Sequence, residues 1–519
     1  MPALTAPRVT IAPMPLASSE VEVTSRSGVA RAVAIAREAQ PAWGARPVRE
    51  RARLLERFRR VLFARRHEVA ELVLRENGKP AVEALTTEVM VALDLARWYA
   101  RHAPRILGES RFTPSNVALW RKRITLAHEP LGVVGVISPW NYPFMLPAGI
   151  VLPALVAGNA VVLKPSELTP ASGVLLGELL AEAGVPPGLV AVTPGDGTTG
   201  AALTGSGVDK VFFTGSAATG RVVGRACAEQ LIPCVLELGG SDPAIVLDDA
   251  DVDVAASGIA WGRFSNAGQT CVAPKRVYVH EAVYDRFVER FTAVARALRV
   301  GPGSDASVDV GPMISAAQAA RLTAQLEDAL AHGARIVAGG APADGDATRF
   351  PPTVLVDAGA GSLVHVEETF GPLVPIVRVR DADEAVRLAN ASPFGLSASV
   401  WGRNRRRAEA VARRLHTGSV VINDVVVAVG IAEVPHGGMK ESGYGRSHGA
   451  MGLLECVRTK AVIEDRLAGA RQPWWFGYGE SHARDIEAFL RLWHGRTVTE
   501  RLSGLWRSAR MLVRHDRAL

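Results

Sequence analysis

The period of the hydrophobic pattern changes along the chain, and each change marks an element. Across residues 48–76, Leu55, Phe58, Leu62, Val69 and Leu72 recur at helical spacing. Asn77-Gly78-Lys79-Pro80 then supplies a stop, so the pattern predicts one long helix, with a second over residues 81–100. From Leu131 to Leu163 no residue is charged, which is long enough to resemble a membrane span. Pro139, Asn141, Pro143, Pro147 and Pro153 interrupt that run. We read 131–138 and 160–163 as buried strands with a helix between them, because parallel strands covered on both faces are continuously apolar. Short apolar runs at 190–192 and 210–213 follow, separated by helical stretches near 171–183 and 200–204. Strand–helix alternation of this kind predicts an α/β fold with a doubly wound parallel sheet, the usual platform for a dinucleotide. A further helix is expected over 381–390, and no internal repeat is visible.

Composition narrows the class. The chain has 519 residues, room for about three domains at ~150 residues each. Its 48% hydrophobic and 21% charged content is that of a globular enzyme. A net charge of +7 favours anionic ligands such as a dinucleotide without pointing to nucleic acid, and the arginines of 48–76 alternate with Glu50, Glu56 and Glu68 as on a solvated helix face. The four cysteines (Cys227, Cys234, Cys271 and Cys456) form no CxxC pair and no metal-binding spacing, so we expect a reducing compartment and no metal. Residues 1–19 carry one charge, Arg8, and have neither the apolar core of a signal peptide nor the arginines of a transit peptide. They read as the loose N-terminus of a cytoplasmic protein.

Candidate chemistry centres on Gly268-Gln269-Thr270-Cys271-Val272. An arbitrary cysteine is most often an inert buried thiol. This one follows a Gly-Gln turn among small uncharged residues, where its own amide can help bind an oxyanion formed at its sulfur. Asn141 follows the first strand of the α/β series, where ligands collect, and its side-chain N–H is a second oxyanion donor; alone it would read as a turn cap. Glu237 ends an apolar strand between Leu236 and Leu238, a setting for general-base work. Lys164-Pro165-Ser166-Glu167 ends another strand: the lysine suits a phosphate or ribose hydroxyl, and the glutamate would accept from a ribose 2′-OH and repel a 2′-phosphate. Two turns compete for the phosphates. Gly195-Asp196-Gly197-Thr198-Thr199-Gly200 spells the dinucleotide fingerprint, while Phe213-Thr214-Gly215-Ser216 ends a strand where a helix begins. Glu368 and Phe370 suggest a ribose contact and a flat apolar wall, although alone they would read as a plain turn.

Pro139–Pro143, Lys164–Glu167, Phe213–Ser216, Glu237–Gly240, Gly268–Cys271 and Glu368–Pro372 occur in an order and spacing that resemble the aldehyde dehydrogenase superfamily from about residue 30 to 463. The resemblance selects the Gly215-Ser216 turn. It implies Cys271 as nucleophile, Glu237 as base, Asn141 in the oxyanion hole, and Trp140, Lys164, Ser166, Glu167, Gly215, Ser216, Leu238, Glu368 and Phe370 around NAD, with NADP as the other cofactor. It further implies a dinucleotide-binding domain (1–111 and 131–239), a catalytic domain (240–440) and a small oligomerisation arm (112–130 and 441–463), the last built from a hairpin near 112–130 and a strand near 456–463, in a homodimer or homotetramer. The reaction implied is oxidation of an aldehyde to its acid through a thiohemiacetal and a thioester.

The loop Phe144–Gly149 has no arginine where succinate-semialdehyde enzymes of the superfamily often place one, and together with Thr270–Pro274 it resembles the branch acting on medium-chain, fatty or aromatic aldehydes. Succinate semialdehyde stays open, as does a coenzyme A-acylating enzyme, though relatives of that type usually lack the glutamate. A non-catalytic relative would have lost Cys271, Glu237 or Asn141, and a cysteine hydrolase needs a histidine partner that the sequence does not supply. Residues 464–519 differ in composition, with Trp474, Trp475, Trp493, Trp506, many arginines and amphipathic runs at 486–493 and 502–513. The plainer reading is a helical appendage packed on the body or on a sister subunit; the alternative is peripheral contact with an anionic membrane.

Overall fold

A computed structural model describes residues 21–340, 342, 345–467, 472, 474–476 and 478–513; the stretch 1–19 read above lies outside them. The chain divides into two compact units, one taking it up to Leu107 together with Glu129–Arg458, the other Gly108–His128 and the chain from Thr459.

The larger unit holds two sheets. In the first the order is Val190–Val192, Ala160–Lys164, Val133–Ile137, Lys210–Thr214, Cys234–Glu237, Gly443–Tyr444, and all pairs are parallel except the last. Every residue of Val133–Ile137 and of Ala160–Lys164 is buried, as strands covered on both faces must be. The helix Met145–Ala157 between them is buried along its whole length. The uncharged run is therefore interior, and no described helix is long and apolar enough to cross a membrane. From Val133–Ile137 the chain builds outward to Val190–Val192, then returns to add Lys210–Thr214 on the other side. That reversal is a topological switch point, where the loops after neighbouring strands diverge and leave a crevice.

The second sheet has the order Arg335–Ala338, Thr353–Val356, Leu373–Val379, Pro274–His280, Asp242–Val246, Ser399–Trp401, Val421–Ile422, parallel throughout except at Arg335–Ala338. The helices near 171–183, 200–204 and 381–390 are Pro170–Glu182, Gly197–Thr204 and Ala382–Asn390.

The helix expected over 48–76 is two, Val48–Ala64 and Arg66–Asn77. They part at Arg65 (φ −97°, ψ 16°), whose guanidinium holds both oxygens of Glu68 at 2.7 Å and Glu182 at 2.9 Å. The apolar period runs on across the break, so the pattern alone reads as a single helix.

The next helical stretch runs from Ala81 to Ile106 and widens into a π-helix over Ala84–Met90. Such wide turns cost regular hydrogen bonding and often accompany functional sites. Here the widened turn carries Glu88, fully buried, to Lys79 Nζ at 2.7 Å, both side chains having no solvent exposure. The second carboxylate oxygen of Glu88 accepts from the amides of Phe144 (3.2 Å) and Met145 (2.7 Å), which begin the buried helix Met145–Ala157. Removing one partner of a buried pair strands the other charge. Glu88→Ala is therefore expected to cost about 3–5 kcal/mol in denaturant unfolding, more than the loss of its contacts alone.

The second unit contains a three-stranded sheet, Ser110–Phe112, Lys122–Pro130, Val457–Asp465, with Phe112 opposite Ile124 in an antiparallel pair. The amphipathic runs at 486–493 and 502–513 fall within the helices Glu480–His494 and Val498–Val513, which form a hairpin. The two helices approach closely at Gly504, where a Cβ would stand 2.1 Å from the Ala488 carbonyl oxygen.

Candidate active site

Three loops at the carboxyl ends of adjacent strands of the first sheet converge on one cleft. Pro139-Trp140-Asn141 follows Val133–Ile137, Gly215-Ser216 follows Lys210–Thr214, and Leu238-Gly239 follows Cys234–Glu237. The cleft has a volume of about 630 Å³, and Cys271 lines it from the segment entering Pro274–His280 of the other sheet.

The cysteine segment is held in a conformation that local propensity disfavours. Asn266, Ala267 and Gly268 have φ of 51°, 51° and 70°. At Gly268 a Cβ would fall 2.5 Å from the Gly371 carbonyl, so glycine is required by space as well as by φ. Long-range bonds secure this run. The buried Arg263 donates to the carbonyls of Gly268 (2.9 Å), Thr369 (3.2 Å) and Gly371; Glu83 accepts from the Asn266 amide (2.8 Å); and Gln269 Oε1 accepts from the Ile314 amide (2.8 Å). Burial pushes the Glu83 carboxyl up to about 7, opposed by the Asn266 amide bond and by Lys79.

Directly behind Cys271 lies the buried Lys275. Its Nζ donates to the carbonyls of Thr270 (2.9 Å) and Cys271 (2.6 Å) and stands 3.6 Å from Glu368 Oε1. Burial pushes the Cys271 thiol up to about 12; Lys275 opposes that rise, and the carboxylates of Asp242, Glu368 and Glu237 add to it. The thiol is thus protonated at rest. Asp242, also buried, is raised to about 7 by desolvation against the pull of Lys275.

Asn141 is buried, and its Nδ2 donates to the Gln269 carbonyl at 3.1 Å. Its own carbonyl accepts from Lys79 Nζ (2.9 Å) and Asn266 Nδ2 (3.0 Å), which ties the Asn141 loop to the π-helical turn and to the cysteine segment. The next residue, Tyr142, bonds Thr270 through its hydroxyl at 2.7 Å. Glu237 is buried; Oε2 accepts weakly from Thr214 Oγ1 at 3.4 Å, and Oε1 has no partner among the described residues. A buried carboxylate oxygen without a donor is costly unless a ligand or water serves it.

Of the residues singled out from the sequence, the cleft brings together Trp140, Asn141, Gly215, Ser216, Glu237, Leu238, Cys271, Glu368 and Phe370. Trp140 and Phe370 meet edge to face at 5.4 Å. Ser216 caps the helix Ala217–Glu229 by accepting from the Thr219 amide at 3.2 Å. Glu368 Oε1 accepts from the Gly240 amide at 3.0 Å. Lys164, Ser166 and Glu167 lie at the end of the neighbouring strand Ala160–Lys164 and do not line the cleft; Lys164 pairs with Glu167 at 3.1 Å and Ser166 Oγ accepts from the Leu168 amide. The rival turn at Gly195 is a cap: Asp196 accepts from the Thr198 amide at 2.8 Å, and a Cβ on Gly195 would stand 2.1 Å from Thr199 Oγ1.

Sequence reasoning passed over Lys79, Glu83, Glu88, Asp242, Arg263 and Lys275, whose roles depend on partners far away in the chain. It also passed over His436, buried in the cleft wall, and Gln318 and Arg321, which line the cleft from the helix Ala316–Ala331. The i, i+3 spacing of Gln318 and Arg321 was visible, but nothing local aimed it at the site. Among the described residues no cluster of side chains could hold a metal ion.

Comparison with known proteins identifies the class. A model of the Aldehyde dehydrogenase family matches residues 16–462. The chain is 41% identical to a 4,4'-diapolycopene aldehyde oxidase from Methylomonas sp., over 88% of this chain and 86% of that one. It is 40% identical to a putative succinate-semialdehyde dehydrogenase [NADP(+)] from Mycolicibacterium smegmatis, over 87% of each. An aldehyde dehydrogenase of Mycobacterium tuberculosis, solved in complex with NAD+, superposes with a TM-score of 0.81 at 35% identity, covering 85% of this chain and 91% of the other. The protein belongs to the aldehyde dehydrogenase family. It is an oxidoreductase that acts on small-molecule aldehydes.

Proposed function

We propose that the protein oxidises an apolar aldehyde to the carboxylic acid with a nicotinamide dinucleotide, through a thioester on Cys271. The observation that carries this reading is the meeting of Cys271, the Asn141 amide and the unpartnered Glu237 Oε1 in one cleft. The cleft residues fit a dinucleotide. The capped start of Ala217–Glu229 offers amides to a phosphate, and Gly239 lets the Glu368 carboxylate approach the cleft, since a Cβ there would stand 2.0 Å from Glu368 Oε2. When bound, the nicotinamide ring supplies the two-electron oxidant.

The chain's own residues do the rest. Cys271 Sγ adds to the aldehyde carbon as its proton passes to solvent water. The resulting oxyanion takes hydrogen bonds from Asn141 Nδ2 and from the Cys271 amide, and its collapse gives up the aldehyde hydrogen as hydride to that oxidant and leaves the thioester on Cys271. Glu237 then draws a proton from a water that attacks the thioester, releasing acid and free thiol. Asn141→Ala is expected to lower kcat by roughly 10²- to 10³-fold with little change in cofactor affinity, checked by steady-state turnover and cofactor titration.

We assign the first sheet and its helices to cofactor binding, the second to the nucleophile segment, and the three-stranded sheet to assembly into a homodimer or homotetramer. The strand Val457–Asp465, exposed along nearly all its length with Val462 and Ile463 outward, supports that last assignment. Glu167 beside Lys164 favours NAD over NADP. All four cysteines are unpaired, in keeping with a cytoplasmic setting.

Leu146, Pro393 and Phe394 in the cleft wall, and the diapolycopene aldehyde named for one relative, support an apolar substrate. One observation favours a second reading, succinate semialdehyde: Arg321 supplies a cation at the cleft. A chain-length series of aldehydes together with succinate semialdehyde, each with NAD and NADP, decides between them. The first reading requires kcat/KM to rise with chain length. The second requires succinate semialdehyde to be preferred and Arg321→Met to raise its KM selectively.

A further inference from the structure

The family match ends at residue 462, so the helical hairpin near the C-terminus lies outside what the family fold requires. Its two helices meet through small groups. Gly504 packs against the Ala488 carbonyl, and Ser508, fully buried, folds its hydroxyl back onto the Gly504 carbonyl at 2.7 Å. Phe489 is buried beside Trp493, but several other large apolar side chains face elsewhere. Val498, Leu502, Leu505 and Trp506 are each more than half exposed, at spacings that set them within an arc of roughly 100° on one helix. Arg501 borders that arc by helical register. On the other helix, Leu490 and Trp493 are also exposed.

An amphipathic helix normally buries its apolar arc against its neighbour; this one turns it to solvent. From residue 480, where the hairpin begins, to the end the sequence has eight arginines and five acidic residues, a net positive charge, although Arg491 and Arg507 pair with Glu487 and Asp485. A second copy docked face to face would set this cationic stretch against itself. A surface that is apolar just beneath a layer of negative charge suits both features at once. With no described helix able to cross a bilayer, the contact lies along it.

We propose that the hairpin formed by Glu480–His494 and Val498–Val513 is a docking face for an anionic lipid bilayer, with Leu502, Leu505 and Trp506 entering the acyl boundary and the bordering Arg501 meeting lipid phosphate. This goes beyond the catalytic reading and does not depend on it.

The test uses the full chain and vesicles of phosphatidylcholine with or without phosphatidylglycerol. The expected result is co-sedimentation at least about tenfold stronger with phosphatidylglycerol, weakened by salt, with a blue shift of tryptophan emission. The triple variant Leu502→Gln/Leu505→Gln/Trp506→Ser should lose this binding by at least about tenfold while aldehyde turnover is unchanged, which separates lost docking from lost folding. Arg501→Gln should weaken only the part that depends on phosphatidylglycerol. Full-length protein left in the supernatant at low salt overturns the proposal, as does undiminished binding by the triple variant. A lower molar mass of the triple variant in light scattering assigns the face to a second copy and overturns it as well.

Discussion

Replacing Cys271 with alanine is expected to lower aldehyde oxidation by on the order of 10⁴- to 10⁶-fold, while cofactor binding stays within about threefold of the parent. The reasoning starts from bond making. Without Sγ no covalent adduct forms, so the oxyanion donors around Asn141 have no charge to stabilise at the moment it would develop. Alanine fills less space than cysteine and leaves the carbonyls of residues 270 and 271 free to keep their bonds to Lys275, so the fold should persist. Turnover within about tenfold of the parent would place the nucleophile elsewhere. The same residue gives a pH signature. Because burial pushes the thiol up to about 12, alkylation of Cys271 in the unliganded enzyme should climb steadily from about pH 7 to about pH 10 without a plateau. Peptide mass mapping must separate it from Cys234, which contacts with Cys227 and with the Tyr444 hydroxyl (3.0 Å) hold below the usual thiol range.

Glu237→Gln should behave differently. Glutamine is nearly isosteric and can still accept from Thr214, so the pocket stays intact, but it cannot take a proton from water. The first turnover should proceed, giving about one equivalent of reduced cofactor per site as a burst, while steady turnover falls by roughly 10²- to 10⁴-fold. Intact-protein mass spectrometry should find the acyl group retained on Cys271. Loss of the burst along with steady turnover would move Glu237 to the earlier step. Added coenzyme A that restores parent-level turnover would favour an acylating enzyme.

Much of this site was legible because its parts are local. A strand of buried apolar residues ending in Pro-Trp-Asn, or another ending in Glu-Leu-Gly-Gly, marks the element within a few residues, and taken together the motifs suggest the chemistry through their resemblance to the family. Cys271 could be read from its small neighbours. What fixes these groups in place could not be read. Lys79, just before a helical stretch, and Glu83 and Glu88 on it lie more than fifty residues before Asn141; Lys79 and Glu83 bond Asn141 and Asn266, and Glu88, on the widened turn, holds Lys79. Lys275 looks like one more charge at the start of a strand until the fold closes over it. The split at Arg65 was hidden because the apolar period keeps its phase, and the ion pairs found there, with Glu68 and Glu182, include a partner more than a hundred residues away. Lys164 and Glu167 illustrate the converse: their spacing was clear, but not that they would bond to each other beside the cleft.

The two lysines bear on how such an enzyme can change over generations. Lys79 and Lys275 grip main-chain carbonyls from behind, so the reactive geometry is fixed by backbone and buried charge. The cleft walls include Leu146, Pro393 and Phe394, whose side chains carry no hydrogen bonds of that framework. Exchanging them reshapes the cavity without disturbing what holds the thiol. Substrate range is thus free to drift by single substitutions, whereas the reaction itself can be lost in one step but not readily altered.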